Sequence, residues 1–117
     1  MEISIVVPIY NVTKNAVEHI PSIIEMLKCK YKDFELLFII DNIVINEQIQ
    51  ALLTLSKRYS EIKVSQLNNN YGQHFATLCG YYLAKGDFIV CIDEDMTKYL
   101  CELCNHHEYQ QYDVFYF

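Results

Sequence analysis

The chain has few of the residues that interrupt regular structure. Only 3 glycines and 2 prolines occur among its 117 residues, whereas 52% of the residues are hydrophobic. This composition excludes a disordered or fibrous protein and predicts one globular domain, residues 1–117, with a single core. No apolar run approaches the roughly 20 residues of a membrane-spanning helix, so we expect no membrane segment in this chain.

Positive charge is also scarce. The chain has 9 Lys and Arg against 15 Asp and Glu, a formal net charge of −6, which argues against a partner that is a nucleic acid. The 5 cysteines are an odd number without the spacing of a disulfide framework, and the first residues do not have the pattern of a signal peptide. Both features favour a cytoplasmic protein.

Strand and helix patterns alternate along the chain without a linker or a repeat. Apolar segments rich in β-branched residues predict strands at 3–8, 34–40, 62–67 and 88–92, and a further strand from residue 113. Segments with the 3.6-residue apolar period of amphipathic helices lie between them. Asn11 or Thr13 is the predicted cap of the first helix, and Asn46 is that of the second.

This alternation predicts an α/β fold with a mostly parallel sheet and helices on both faces. Right-handed crossovers give the strand order 3-2-1-4, in which the strand at 62–67 lies at an edge. The chain then changes direction between the strands at 3–8 and 88–92. Open α/β sheets bind ligands in the crevice at such a switch point.

The helix that precedes residues 88–92 carries a row of small side chains. Ala76, Gly80 and Ala84 recur at every fourth position and therefore share one face, which allows close approach to the sheet. Gly86 is predicted to end this helix as a glycine C-cap. Directly after the strand come Asp93, Glu94 and Asp95. Carboxylates at the exit of a buried strand are suitable ligands for a hard divalent cation.

Together these residues form one extended pattern. It reads N-x-G-x-x-x-A-x-x-x-G-x-x-x-A-x-G-D-x-I-x-x-x-D-x-D, formed by Asn70, Gly72, Ala76, Gly80, Ala84, Gly86, Asp87, Ile89, Asp93 and Asp95. With Ile3–Asn11 and Glu35–Asn42, which are similar to the first two strand motifs, the chain resembles the inverting family 2 glycosyltransferases of the GT-A fold. The Gly72-Gln73-His74 helix start is similar to that of the subgroup that transfers sugars to polyprenyl phosphate.

The resemblance implies a Rossmann-like domain that binds a nucleotide-diphosphate sugar, UDP-linked, through Mn²⁺ or Mg²⁺. Asp95 and Asp93 are the implied metal ligands, with Glu94 as a solvated spacer. The implied nucleotide-binding residues are Pro8, Tyr10, Asn11, Asp41, Asn70, Gly72 and Asp93. The family commonly has two acids and Gly-Ser around position 41, and a basic residue at position 69. In this chain Asn69 occupies that position, so phosphate binding is implied to depend more strongly on the metal.

From the residues alone, structural alternatives stay open. Asp41 and Asn42 could form a turn, Tyr10 could be a core side chain, and Gly72 and Gly80 could serve close packing only. Asp93 and Asp95 could cap a following helix.

The resemblance further implies that the general base and the acceptor half lie beyond Phe117, so the chain is expected to be truncated before them. The acceptor would be polyprenyl phosphate or a saccharide, which would allow a location at the inner face of the membrane. The alternative is a nucleotide-binding fragment without turnover. The aromatic residues from Val114 to Phe117 are expected to favour a homo-oligomer.

The cysteines offer one further possibility, a zinc site. Cys101, Cys104, His106 and His107 have ligand types that zinc accepts. They lie within seven residues on one predicted helix, however, whereas structural sites combine two separated pairs. We therefore expect no bound zinc. Core positions are predicted for Cys29, Cys79 and Cys91.

Overall fold

The computed structural model describes residues 1–43 and 45–92 and the backbone of 114–116. These residues form one parallel sheet of five strands in the order β3-β2-β1-β4-β5. The strands are β1 (Ile3–Ile9), β2 (Phe34–Ile40), β3 (Ile62–Gln66), β4 (Phe88–Cys91) and β5 (Val114–Tyr116), and the helices are α1 (Lys14–Lys30), α2 (Glu47–Arg58) and α3 (Gln73–Leu83). The predicted order 3-2-1-4 is confirmed, as is the edge position of β3.

Helices cover both faces of the sheet, as predicted. Because side chains alternate across a strand, Ile5 and Val7 of β1 lie in the larger core cluster with the buried side chains of α1 and α2. Val6 points to the opposite face, where it packs with Ala76 of α3. All seven residues of β1 are buried. In the part of the chain that the structure describes, no helix is both long and apolar enough to span a membrane.

The first two helices begin at side-chain caps. The Thr13 hydroxyl accepts a hydrogen bond from the Ala16 N–H at 3.1 Å, and the Asn46 side-chain oxygen accepts one from the Ile49 N–H at 3.0 Å. Each cap satisfies an amide that has no partner within the helix. Thr13 is thus the cap of α1, rather than Asn11, and the predicted cap of α2 is confirmed.

Gly80 brings α3 into direct contact with the centre of the sheet. A Cβ at this position would lie 2.2 Å from Cγ1 of Val6, a distance that real carbon atoms do not adopt. The predicted row of small residues is confirmed at this point, because Ala76 and Gly80 are the buried residues of α3.

The predicted glycine C-cap at Gly86 is wrong. The C-cap of α3 is Ala84, in extended conformation, and among the described glycines only Gly72 has a positive φ. Gly86 is instead required for close packing, since a Cβ there would lie 2.5 Å from the backbone nitrogen of Ser4. The Lys-Gly-Asp sequence suggests a cap, but the requirement for glycine comes from contact with β1, more than 80 residues earlier in the chain.

A buried polar cluster at the amino end of the sheet was not predicted. The Ser4 hydroxyl donates to Oε2 of Glu35 at 2.6 Å, and the same oxygen accepts the Lys85 N–H at 2.8 Å. Ser4 Oγ in turn accepts the Gly86 N–H at 2.7 Å. This cluster satisfies the backbone amides of the turn between α3 and β4, which would otherwise be desolvated without partners.

Of the three cysteines predicted in the core, Cys91 is buried and Cys79 is partly buried. Cys29 is exposed on α1, so its predicted core position is wrong. The helix face explains the difference, because Cys29 follows the buried Leu27 by two positions, roughly 200° around the helix, and so lies off the buried face of α1.

We predict that Gly80→Ala destabilises the protein by about 1–3 kcal/mol, because the added methyl group overlaps the stiff Val6 side chain. Urea denaturation followed by circular dichroism measures the change. Gln73→Ala, at an exposed position of the same helix, is the control and should change stability by no more than about 0.5 kcal/mol. Equal stability of the Gly80→Ala protein and the wild type would contradict the close contact.

Candidate functional site

The carboxyl ends of β1, β2 and β4 lie together at one end of the sheet. β1 and β2 end together, since Ile9 pairs with Ile40 and the Asp41 N–H donates to the Ile9 carbonyl at 2.9 Å. On the other side of β1, the Ile92 N–H donates to the Val6 carbonyl at 2.9 Å. The switch point lies between β1 and β4, because α1 leaves β1 on one face and α3 reaches β4 on the other.

Asp41 fixes the start of α3. The residue is 5% exposed; Oδ1 of its carboxylate accepts the Tyr71 N–H at 2.8 Å, and Oδ2 accepts the Gly72 N–H at 2.9 Å. Gly72 is the N-cap of α3 and has no capping side chain of its own. A carboxylate is stabilised at this position, because unpaired amides and the helix dipole make the amino end of a helix positive.

This geometry excludes the local turn as the role of the Asp41 carboxylate. The carboxylate does not form a local turn with Asn42, because it binds amides about 30 residues further along the chain. An ionised carboxylate has about four lone-pair positions. The hydrogen bonds from the two backbone amides occupy two of them, which leaves acceptor capacity for a ligand. Base recognition by Asp41 stays a prediction.

Backbone conformation explains why a glycine occupies position 72. Its φ is +96°, and a Cβ built on it would have no atom within 4 Å. Close packing is therefore not the reason for a glycine here, in contrast to Gly80. A residue with a side chain would be strained in this left-handed region.

The exit of β1 is held in place by an amide side chain. Asn42 donates from Nδ2 to the Tyr10 carbonyl at 3.2 Å, and Gln66 donates from Nε2 to the Asn42 carbonyl at 2.7 Å. Tyr10 is 48% exposed, so the core alternative for this residue is wrong. Gln66 was not predicted as a site residue; the available signal was a polar side chain at the last position of a strand.

The remaining predicted nucleotide-binding residues differ in how exposed they are. Pro8 is buried inside β1, where it pairs with Ile39, whereas Asn11 and Asn70 are exposed. The Asn70 N–H donates to the side chain of Asn69 at 2.8 Å. The exposed residues thus lie on the two loops that border the crevice, and Pro8 lies beneath them.

An aromatic pair beside Asp41 was also missed. The rings of Tyr71 and Phe75 are 4.6 Å apart with an interplanar angle of 37°, and the Tyr71 hydroxyl donates to Oδ1 of Asn68 at 2.7 Å. Aromatic residues four positions apart at a helix start are the signal that could have identified them.

The two predicted metal ligands, Asp93 and Asp95, lie outside the described residues. So do the predicted spacer Glu94 and the cluster of Cys101, Cys104, His106 and His107, at which no zinc is expected. Within residues 1–43 and 45–92, no group of three or more His, Cys, Asp or Glu could hold a metal ion. β4 leads to Ile92 at the crevice, and Asp93 is the next residue in the chain.

The sequence profile of the family described as glycosyl transferase family 2 matches residues 4–116. The chain belongs to glycosyl transferase family 2. The match spans the exits of β1, β2 and β4, the loop that Asp41 holds, α3 and the three acidic residues after β4.

Solved structures agree with this assignment at the level of the fold. The crystal structure of S. aureus TarS 1-349 has a TM-score of 0.63 and 23% identity, and the match covers 92% of this chain and 33% of that one. A crystal structure of S. aureus TarS gives a TM-score of 0.62 and 22% identity, covering 92% and 20%. The family 2 chain has the Rossmann-like GT-A arrangement and spans a third or less of these structures.

We predict that Asp41→Ala lowers the free energy of unfolding by about 1–3 kcal/mol, because two amides at the start of α3 lose their acceptor. Asp41→Asn keeps one acceptor oxygen and should lose less. Urea denaturation gives the stabilities, and hydrogen exchange should show faster exchange of the Tyr71 and Gly72 amides. The control is Asp87→Ala, at an exposed aspartate. A loss in Asp41→Ala no larger than that in the control would show that the carboxylate does not stabilise the helix start.

Proposed function

We propose that this family 2 chain binds the nucleotide diphosphate of a sugar donor in the crevice between β1 and β4, for sugar transfer with inversion. One observation carries the proposal: the exits of β1, β2 and β4 meet at the switch point of the sheet. Parallel α/β sheets bind their ligands at this position. The family assignment makes a nucleotide sugar, UDP-linked, the ligand to test first.

The nucleoside would contact the exits of β1 and β2. The exposed ring of Tyr10 offers a stacking surface for the base, and Asn42 fixes the backbone beneath it. Asp41 would accept a hydrogen bond from the edge of the base with the lone pairs that the two amides leave. Asn11 and Asn70 border the same crevice and would contact the ribose or the phosphates.

The diphosphate would require a cation. The loop at 67–72 contains no Lys or Arg, and the whole chain has a formal net charge of −6. Asp93 and Asp95 have the oxygen donors that Mn²⁺ and Mg²⁺ prefer, and they follow Ile92 directly. Such a metal supplies Lewis-acid stabilisation of the charge on the leaving diphosphate.

Transfer itself is a further step of the proposal. The similar structures are at least three times as long as the part matched here, so the acceptor, polyprenyl phosphate or a saccharide, and the general base are not assigned to residues of this chain. The alternative is a domain that binds the donor without turnover. Binding and product formation distinguish the two, because only the transferase releases a glycosylated acceptor.

We predict that UDP binds in the presence of Mn²⁺ with a Kd on the order of tens of micromolar to millimolar. Isothermal calorimetry measures this affinity, with ADP and GDP as tests of base selectivity. Asp95→Ala should lose most of the binding, because the metal loses a ligand, whereas Glu94→Ala is the matched control and should retain it. Equal UDP affinity in EDTA would contradict the metal site. Failure of all three nucleotides to bind would contradict the proposed function.

A further inference from the structure

The positive charge of the chain is concentrated in two short segments. Six of its 9 Lys and Arg residues lie in segments 28–32 and 57–63, although the chain as a whole has a formal net charge of −6. The two segments contain a single acidic residue, Glu61. Their six cationic residues are Lys28, Lys30, Lys32, Lys57, Arg58 and Lys63. A local excess of one charge sign raises the local concentration of ligands of the opposite sign.

The fold brings the two segments together at the amino end of the sheet. The first connects the end of α1 to β2, and the second connects the end of α2 to β3. β2 and β3 are neighbours, and the Leu36 N–H donates to the Glu61 carbonyl at 2.8 Å. Cations from both segments approach the ring of Tyr59, since Nζ of Lys28 lies 5.9 Å from its centroid and Cζ of Arg58 lies 5.4 Å from it.

A cleft with a volume of about 570 Å³ lies at this junction. The residues that line it include three lysines, two acids and a serine, namely Lys28, Lys32, Lys63, Asp33, Glu61 and Ser60. The lysines therefore outnumber the acids in the lining, in a protein whose overall charge is negative. The volume is that of a small-molecule site, for which roughly 300–1,000 Å³ is typical.

Within the residues that the structure describes, the lysines of this cleft are not neutralised by carboxylates. No carboxylate oxygen lies within 4.0 Å of Nζ of Lys28, Lys32 or Lys63. Lys28 is in the last turn of α1, where a cation offsets the negative end of the helix dipole. Lys32 and Lys63 lie outside the helices, so the dipole does not account for them. Both are exposed and accessible to a ligand.

We propose that this cleft, which we call the lysine cleft, binds a small anion through a phosphate or diphosphate group. Lysine ammonium groups bind phosphate as point charges and donate hydrogen bonds to its oxygens, and Ser60 adds a hydroxyl. The lysine cleft is distinct from the crevice between β1 and β4, which lies at the opposite end of the sheet. It also supplies its own positive charge, whereas a diphosphate in the crevice would require a metal.

Titration of the full chain with inorganic pyrophosphate, followed by nuclear magnetic resonance, tests the proposal after a chelating resin has removed divalent metals. We expect saturable shifts of the amide resonances of Lys32, Ser60 and Lys63, with a Kd on the order of 0.1–1 mM that rises with added salt. Without metal, the amides of Tyr10 and Asp41 at the crevice should not respond. The inference does not depend on the proposed nucleotide site, which calorimetry of UDP with Mn²⁺ tests separately.

Paired substitutions separate the effect of charge from that of folding. The double variant Lys32→Gln and Lys63→Gln should raise the Kd about fivefold to twentyfold, because two exposed charge contacts are lost. The double variant Lys32→Arg and Lys63→Arg keeps both charges and should bind within about twofold of the wild type. Lys85→Gln is the matched control, because this exposed lysine at the same end of the sheet does not line the cleft. Circular dichroism establishes that each variant is folded.

The phosphate group could belong to a soluble molecule or to a lipid headgroup. Cosedimentation with phosphatidylcholine vesicles that contain phosphatidic acid distinguishes these sources. Retention that the double glutamine variant loses would identify a headgroup, and pyrophosphate binding without retention would identify a soluble ligand; either result supports a phosphate site.

The absence of saturable shifts up to about 10 mM pyrophosphate would overturn the proposal. So would shifts centred on Tyr10 and Asp41, or binding that the double glutamine variant leaves unchanged.

Discussion

The structure depends on the complete burial of β1. Its seven residues are all buried, so its backbone must be hydrogen-bonded on both edges and its side chains covered on both faces. β2 and β4 satisfy the two edges. On one face the cover is α3, which comes close only because Gly80 has no side chain. Close packing against β1 therefore requires glycine at position 80 in α3 and at position 86 in the turn that follows it.

β2 holds α3 at both ends. Glu35 near the start of β2 accepts the Lys85 amide beyond the end of the helix, and Asp41 just after β2 accepts the Tyr71 and Gly72 amides at its start. The lengths match, because eleven helical residues and seven strand residues both span roughly 15–25 Å. Two buried carboxylates thus set the position of α3 along the sheet, and with it the shape of the loop that borders the crevice.

The fold could be predicted from the sequence because its signals are local. The apolar run at 34–40 coincides with β2, and Asn46 caps α2 as its position before the amphipathic segment indicated. The family pattern also identified the loop and helix around Gly72. Each of these signals depends on residues within about a dozen positions of one another, where periodicity and capping preferences act.

What could not be predicted depends on contacts between distant segments. Gly86 has the neighbours of a helix cap, but the backbone of Ser4 is the reason for a glycine. Glu35 within an apolar strand gives no sign that it accepts an amide 50 residues away. Gln66 likewise gains its role only because β3 lies beside β2. Sequence patterns indicate which elements form, whereas these polar contacts appear only after the elements are packed.

The proposed ligand site lies at the carboxyl end of the sheet, between β1 and β4. Paramagnetic broadening of backbone amide resonances by Mn²⁺ in the presence of UDP tests this claim most directly, since the effect falls steeply with distance from the ion. A site at this position predicts much stronger broadening at Tyr10, Asp41 and Ile92 than at Ser4, Glu35 and Lys85 at the opposite end. Stronger broadening of the second group, or equal broadening of both, would contradict it.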